Sequence, residues 1–89
     1  MARVRFTENI QRHVQCPPCD APGKTVCEVL DAVFCSNEKA RGYVLDERGE
    51  VRKHMIVFVD GKAVNDRRRL TDPVTEESEI YIMQALSGG

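Results

Sequence analysis

The chain has 89 residues, enough for one domain with a single modest core and too few to enclose a large cofactor. Hydrophobic residues make up 42% and charged residues 30%, a composition typical of a folded globular protein. Thirteen basic and fourteen acidic side chains give a formal net charge of -1, which provides no net attraction to nucleic acid or to an anionic membrane. Proteins or small molecules are therefore the expected partners.

No apolar run approaches the roughly 20 residues that a membrane-spanning helix needs. The first residues alternate between apolar and polar, unlike the core of a signal peptide. The sequence therefore predicts a cytoplasmic protein. Its four cysteines are expected to be reduced thiols in that compartment.

The N-terminal residues are predicted to form a β-hairpin. Ala2 to Thr7 alternate between apolar and polar, as a half-buried strand does. A second alternating stretch, Gln11 to Cys16, follows a turn at Glu8 and Asn9. The prolines and the glycine in residues 17–23 are expected to exclude regular structure, because proline lacks the backbone N–H that a strand donates.

An amphipathic helix is predicted to begin after Thr25. Thr25 and Glu28 form a capping box, in which the hydroxyl accepts from the Glu28 amide and the carboxylate accepts from the Thr25 amide. An apolar stripe with helical spacing follows and is expected to pack on a sheet. Its members are Val26, Val29, Leu30, Val33 and Phe34. The helix should end near Cys35 to Asn37, and Gly42 should close a short connection.

The middle of the chain is predicted to hold a small hairpin and a central strand. Residues 43–45 and 51–53 flank a polar turn with Gly49 at its tip, which indicates a hairpin-like insertion. Residues 55–59 are all apolar, as in a strand that is covered on both faces or exposes one face to a partner. Asp60 and Gly61 then favour a tight turn into residues 62–64.

A long surface connection and a last strand complete the chain. Residues 65–78 are mostly polar, and only Leu70 and Val74 are expected to be anchored in the core. Residues 79–86 alternate, with Ile80 and Ile82 on one face and Tyr81 and Met83 on the other. The final strand therefore runs almost to the terminal residues Ser87, Gly88 and Gly89.

Three clusters suggest chemistry but have simpler interpretations. Cys16 and Cys19 have the C-x-x-C spacing of redox and zinc sites. The second knuckle of a zinc ribbon and the βαβ setting of a thioredoxin site are both missing from the sequence. Incidental thiols are therefore expected, and no metal site. His13 and His54 lack neighbouring carboxylates and are predicted to be exposed strand residues. The arginines at residues 67–69 could guide docking to an acidic partner, but a solvated loop is the favoured interpretation.

This order of elements resembles the MoaD/ThiS family of ubiquitin-like sulfur carriers over essentially the whole chain. The matching segments are the strand at residues 4–7, the helix opening at residues 25–30, Val57-Phe58-Val59-Asp60-Gly61-Lys62, and Leu86-Ser87-Gly88-Gly89 after Glu79-Ile80-Tyr81-Ile82. The resemblance implies an α+β fold of the ubiquitin-like β-grasp type, with a mixed β-sheet packed on one main α-helix. Residues 1–86 would form the domain and residues 87–89 a flexible tail.

The resemblance also implies a mechanism in which the chain is a carrier and not an enzyme. A ubiquitin-activating-type enzyme would use ATP to adenylate the carboxylate of Gly89, and a sulfur donor would convert it to a thiocarboxylate that passes sulfur to an acceptor enzyme. Gly88 and Ser87 would thread the enzyme's channel, since a backbone without Cβ atoms fits narrow spaces. No permanently bound cofactor is expected. The predicted docking residues are Met55, Phe58, Tyr81, Met83 and Leu86.

The stretch from residue 43 to residue 54 resembles the longer members of the family. These include molybdopterin-synthase small subunits, a cysteine-biosynthesis carrier and archaeal small modifiers. Two other functions are consistent with the sequence. One is a protein modifier joined through Gly89 to lysines, and the other is a non-covalent β-grasp interaction module.

Overall fold

The computed structural model describes residues 1–85, which form a five-stranded mixed sheet and three helices. The strands are β1 (Ala2–Phe6), β2 (Cys19–Ala21), β3 (Met55–Val59), β4 (Lys62–Ala63) and β5 (Glu79–Gln84). The helices are α1 (Glu8–Gln11), α2 (Val26–Phe34) and α3 (Glu38–Val44). No helix within residues 1–85 has the length and apolar content needed to cross a lipid bilayer.

The sheet has the order β2-β1-β5-β3-β4, with the first and last strands of the chain side by side at its centre. β1 and β5 are parallel, and the other neighbouring pairs are antiparallel. Alternate side chains point to opposite faces of a strand. Val4, Phe6, Ile80 and Ile82 therefore lie together in the core, and the residues between them face the other side.

Helix α2 covers the core face of the sheet and confirms the predicted helix. The hydroxyl of Thr25 accepts a hydrogen bond from the Glu28 amide at 3.2 Å. The Glu28 carboxylate reaches the amide of Lys24, at 3.5 Å, instead of the predicted amide of Thr25. Four members of the predicted stripe are buried, whereas Val33 is only partly buried because it lies at the margin of the helix–sheet contact.

The predicted second strand is wrong in position. Residues 8–11 form α1 and residues 12–14 a turn, while the antiparallel partner of β1 is β2, with Ala2 opposite Ala21. Ile10 is fully buried and fixes this short helix against the core. The neighbouring prolines are tolerated because β2 is a three-residue edge strand and Pro17, Pro18 and Pro22 lie outside it.

The predicted hairpin after α2 is wrong except for its turn. Residues 38–44 form α3, so Gly42 and Tyr43 lie inside a helix. The side chain of Asn37 caps this helix by accepting from the Ala40 amide at 3.2 Å, and Ala40 and Val44, one turn apart, are buried. A single antiparallel bridge between Leu45 and Val51 closes the turn.

The C-terminal half agrees with the sequence prediction. β3 and β4 are joined by Asp60 and Gly61, which both have positive φ angles, of 50° and 87°. The connection from residue 65 to residue 78 contains no helix or strand, and Leu70 and Val74 are buried as predicted. The predicted tail, residues 87–89, lies outside the described residues, so its boundary stays a prediction.

Two partly buried aspartates hold loops next to α2 and α3. Asp46 Oδ1 accepts from the amides of Arg48 and Glu50, at 2.8 and 3.0 Å. Asp66 Oδ1 accepts from the amides of Arg69 and Arg68, at 2.9 and 3.1 Å. These hydrogen bonds favour the ionised carboxylate, so they lower the pKa of both aspartates, chiefly through the Glu50 amide for Asp46 and the Arg69 amide for Asp66.

We expect Asp66→Ala to lower the free energy of unfolding near neutral pH, and the difference from wild type to shrink in acid. A carboxyl whose pKa is lowered by folding stabilises the protein fully above its unfolded pKa of about 3.9, and this stabilisation is lost as the pH falls through the lower folded value. Urea unfolding over a pH series measures the effect. Asp66→Asn is the control, since it keeps an acceptor oxygen but does not titrate. An Asp66→Ala deficit that is constant with pH would contradict this assignment.

Candidate functional site

The end of β5 is held by hydrogen bonds from two helices. Gln84 Oε1 accepts from the side-chain amide of Asn9 and from the hydroxyl of Tyr43, each at 3.0 Å. The His13 ring stacks on the Tyr43 ring, with centroids 5.8 Å apart. Ala85 continues the pairing, because its amide donates to the His54 carbonyl at 2.7 Å. The chain is therefore fixed at the point where it passes into its last four residues.

The residues predicted to carry the chemistry follow this point directly. Leu86, Ser87, Gly88 and Gly89 lie outside the described residues. Their predicted roles in docking, threading and sulfur transfer remain predictions. The structure does show that the strand preceding them runs at the centre of the sheet, between β1 and β3.

The face of the sheet opposite α2 forms an open apolar groove. Phe58 lies directly opposite Tyr81, and Ile56 opposite Met83, across the antiparallel pair of β3 and β5. All four side chains are partly exposed. The groove encloses about 740 Å³, and Phe58, Tyr81 and Met83 line it.

Charged groups border one side of this groove. The Arg5 guanidinium lies 5.9 Å from the centroid of the Tyr81 ring and 3.4 Å from a Glu79 carboxylate oxygen. On the same face, Arg3 pairs with Asp20 at 3.8 Å. An apolar centre with a charged border is the arrangement found at protein–protein interfaces.

Comparison with known proteins identifies the fold. No protein-family model matches the sequence, and no curated protein sequence does. Solved structures do match. A chain of the BexX/CysO complex from Amycolatopsis orientalis superimposes with a TM-score of 0.82 at 21% identity, over 100% of both chains. CysO from Mycobacterium tuberculosis gives 0.80 at 15% identity, over 97% of this chain and 100% of that one.

An archaeal protein has the same architecture. Small archaeal modifier protein 1 from Haloferax volcanii superimposes with a TM-score of 0.77 at 22% identity, over 99% of this chain and 98% of that one. The chain has the ubiquitin-like β-grasp fold. The structural neighbours thus agree with the resemblance to MoaD/ThiS carriers that the sequence suggested. Because these sequence identities are only 15–22%, the structural similarity establishes the fold alone.

The prediction of one docking residue is wrong, because Met55 does not lie on the open face of this β-grasp sheet. Met55 is 4% exposed and belongs to the core, because it shares the inward face of β3 with Val57. Ile56 lies on the open face instead, a residue that sequence reasoning missed. Every residue of β3 is apolar, so alternation could not show which of its two faces is open.

The cysteines of the β-grasp domain are all free thiols in the structure. Cys16 is buried, and its sulfur contacts the Val14 carbonyl oxygen at 3.3 Å. Burial raises the pKa of the Cys16 and Cys19 thiols, and the proximity of Cys19 adds to the effect at Cys16. A raised pKa disfavours the thiolate that attacks or binds metals. Within residues 1–85, no group of three or more His, Cys, Asp or Glu side chains could hold a metal ion.

Both histidines are exposed, as the sequence predicted, but neither lies in a strand. His13 follows α1, where it stacks on Tyr43. His54 directly precedes β3 and contributes its carbonyl to the pairing with Ala85. Each therefore lies next to the end of β5 without a carboxylate partner among the described residues.

Proposed function

We propose that this protein is a cytoplasmic ubiquitin-like sulfur carrier whose working group is the carboxylate of Gly89. The observation that best supports the proposal is the anchored end of β5. Gln84, held by Asn9 and Tyr43, is separated from the terminal Leu-Ser-Gly-Gly sequence only by Ala85. A rigid domain that ends in a short glycine tail can offer its terminal carboxylate to another protein's active site while its own fold stays intact.

The proposed chemistry takes place at the terminal carboxyl carbon. A carboxylate oxygen attacks the α-phosphorus of ATP and displaces pyrophosphate, which gives an acyl-adenylate. A sulfide-level nucleophile from the sulfur donor then attacks the acyl carbon and displaces AMP, leaving a thiocarboxylate. An activating enzyme would bind the ATP. The carrier supplies the carboxylate, its threading residues Gly88 and Ser87, and a docking surface.

The open face of the sheet is the proposed docking surface for the activating enzyme. Ile56, Phe58, Tyr81 and Met83 provide its apolar centre, and the predicted Leu86 follows on the same chain. The neighbour from Amycolatopsis orientalis was solved as a complex with BexX, so one protein of this fold assembles with a partner protein. The sulfur would pass to an enzyme of cofactor or metabolite biosynthesis, for which molybdopterin synthase is one candidate.

Intact-mass analysis of the protein purified from its own cells tests the proposal. Exchange of one carboxyl oxygen for sulfur adds about 16 Da, and this gain should disappear when Gly89 is deleted. The absence of the heavier form from cells that make the activating enzyme would contradict a carrier role.

A second candidate is a protein modifier that is joined to lysines through Gly89. The likeness to small archaeal modifier protein 1 favours it. The activation step is the same, but the acceptor is an amine, so the same mass analysis would show adducts heavier by the mass of the target protein. A β-grasp domain that only docks without using its tail would show neither product.

We expect Met83→Asp to weaken binding to the activating enzyme by about tenfold or more, since it places a charge at the apolar centre of an interface. The domain should still fold, because Met83 lies outside the core. Calorimetric titration with the purified enzyme gives the affinity. Ser36→Asp, an exposed position on the helix side, is the matched control and should bind normally. Equal affinities for the two variants would place the docking surface elsewhere.

A further inference from the structure

The three arginines of residues 67–69 have different roles in the structure. Arg67 stabilises the fold, because its guanidinium donates to the carbonyls of Arg52 and Met55 at 2.8 and 2.7 Å. Arg68 and Arg69 instead line an open pocket of about 340 Å³, together with Arg41 of α3 and Arg48. We call the surface formed by Arg41, Arg48, Arg68 and Arg69 the arginine pocket.

Arginines outnumber carboxylates among the residues that line the arginine pocket. Within residues 1–85, the ion pairs involve Arg3 and Arg5, and none of the four pocket guanidinium groups makes an ion pair or a side-chain hydrogen bond. Asp31 is the single carboxylate among the lining residues. All four arginines are exposed, although the whole chain carries a formal charge of -1. Four exposed guanidinium groups therefore share one surface, and the carboxylates of Asp46 and Asp66 are bonded to backbone amides of the loops that carry three of them.

The backbone that carries these arginines is held in place. Asp46 accepts from the amide of Arg48, and Asp66 from the amides of Arg68 and Arg69. The amide of Val51 donates to the Arg67 carbonyl at 3.0 Å and joins the two loops. A ligand that binds here does not need to order the loops, which removes one cost of association.

We infer that the arginine pocket is a docking site for an acidic segment of a protein partner. A guanidinium group binds a carboxylate through two parallel hydrogen bonds. The four arginines come from α3 and from two separate loops, so a chain with several carboxylates can reach more of them at once than one small anion can. Such clusters also accelerate the encounter of oppositely charged proteins.

This surface is separate from the open face of the sheet. Cys27, Leu30 and Asp31 of α2 line the arginine pocket, and α2 covers the opposite side of the sheet from Phe58 and Tyr81. One partner can therefore occupy the sheet face while an acidic segment of another occupies the arginine pocket. The inference does not depend on the chemistry of the tail.

Titration of the full chain with a capped hexaglutamate peptide, followed by two-dimensional NMR, tests the inference. We expect saturable binding, with shifts concentrated in residues 41–50 and 66–70, that weakens as salt is added. Arg68→Gln with Arg69→Gln should lower the affinity by about tenfold, because two exposed charge pairs are lost. The control, Arg12→Gln with Lys62→Gln, removes the same charge outside the pocket and should stay within about twofold of wild type.

Any one of four results would overturn the inference. Equal loss of affinity in the two double variants would mean that the peptide responds to net charge alone. Shifts centred on the open sheet face, or no saturable binding, would remove the arginine pocket as the site. The pocket would be a small-anion site instead if inorganic pyrophosphate bound more tightly than hexaglutamate and if the Arg68→Gln, Arg69→Gln variant lost that binding. Melting temperatures of both variants confirm that each is folded.

Discussion

We expect Leu30→Ala to lower the free energy of unfolding by about 2–5 kcal/mol, because it leaves a cavity in the only sizeable core of the described chain. Leu30 is 1% exposed and lies at the centre of α2, where the helix covers the sheet. A domain of this size has only about 5–15 kcal/mol of stability in total. The substitution should therefore lower the melting temperature by at least about 8 °C.

Urea unfolding of purified wild type and Leu30→Ala measures this difference directly. Val33→Ala is the matched control on the same helix, since Val33 is only partly buried and its methyl groups leave less of a cavity. It should cost less than Leu30→Ala. Equal effects of the two substitutions, or an unchanged melting temperature for Leu30→Ala, would show that the stripe of α2 is not the centre of the core.

Local signals explain why much of the fold could be predicted from the sequence. The start of α2 is specified by the capping residue Thr25, which bonds to the amide of Glu28 three positions later. The buried face of α2 is specified by apolar residues that recur with the 3.6-residue period of a helix. The turn between β3 and β4 is specified by Asp60 and Gly61, whose positive φ angles few other residues adopt easily. Each of these signals lies within a few residues of the structure that it determines.

The errors arise where tertiary contacts outweigh a local pattern. Residues 11–16 alternate like a strand, but burial of Ile10 stabilises the helix α1, which includes Gln11, the first of these residues. β2 is then formed by three residues between prolines, where pairing with β1 and not propensity decides the structure. α3 contains Gly42 and Tyr43, which lower helix propensity, yet the Asn37 cap and burial of Ala40 stabilise it.

In the candidate site, too, the features with a local sequence signal were predicted and those that depend on tertiary contacts were not. Alternation in β5 correctly placed Tyr81 and Met83 on the face opposite the core. The uniformly apolar β3 gave no such pattern, which is why Met55 was predicted in place of Ile56. The contacts of Gln84 with Asn9 and Tyr43 join residues that are 75 and 41 positions apart, so no local signal in the sequence could reveal them.

Deletion of Gly89 should abolish ATP-dependent activation by the cognate enzyme. The proposed reaction begins with attack by the terminal carboxylate, and the deletion moves that carboxylate one residue back along the chain, out of reach of the adenylation site. The free energy of unfolding should change by less than about 0.5 kcal/mol. Among residues 1–85, no member of the core lies later in the chain than Ile82.

Gly88→Val tests separately whether activation needs a terminal carboxylate and whether it needs a tail without side-chain bulk. The variant keeps the Gly89 carboxylate but adds a β-branched side chain, which restricts the backbone and widens the segment that must enter the enzyme's channel. We expect normal folding and severely impaired activation. Release of pyrophosphate with purified activating enzyme measures both tail variants, and the exposed control Ser36→Asp, which leaves residues 86–89 unchanged, should react like wild type. Normal pyrophosphate release from the Gly89 deletion would rule out the carrier and the modifier together, whereas normal release from Gly88→Val alone would remove only the steric requirement.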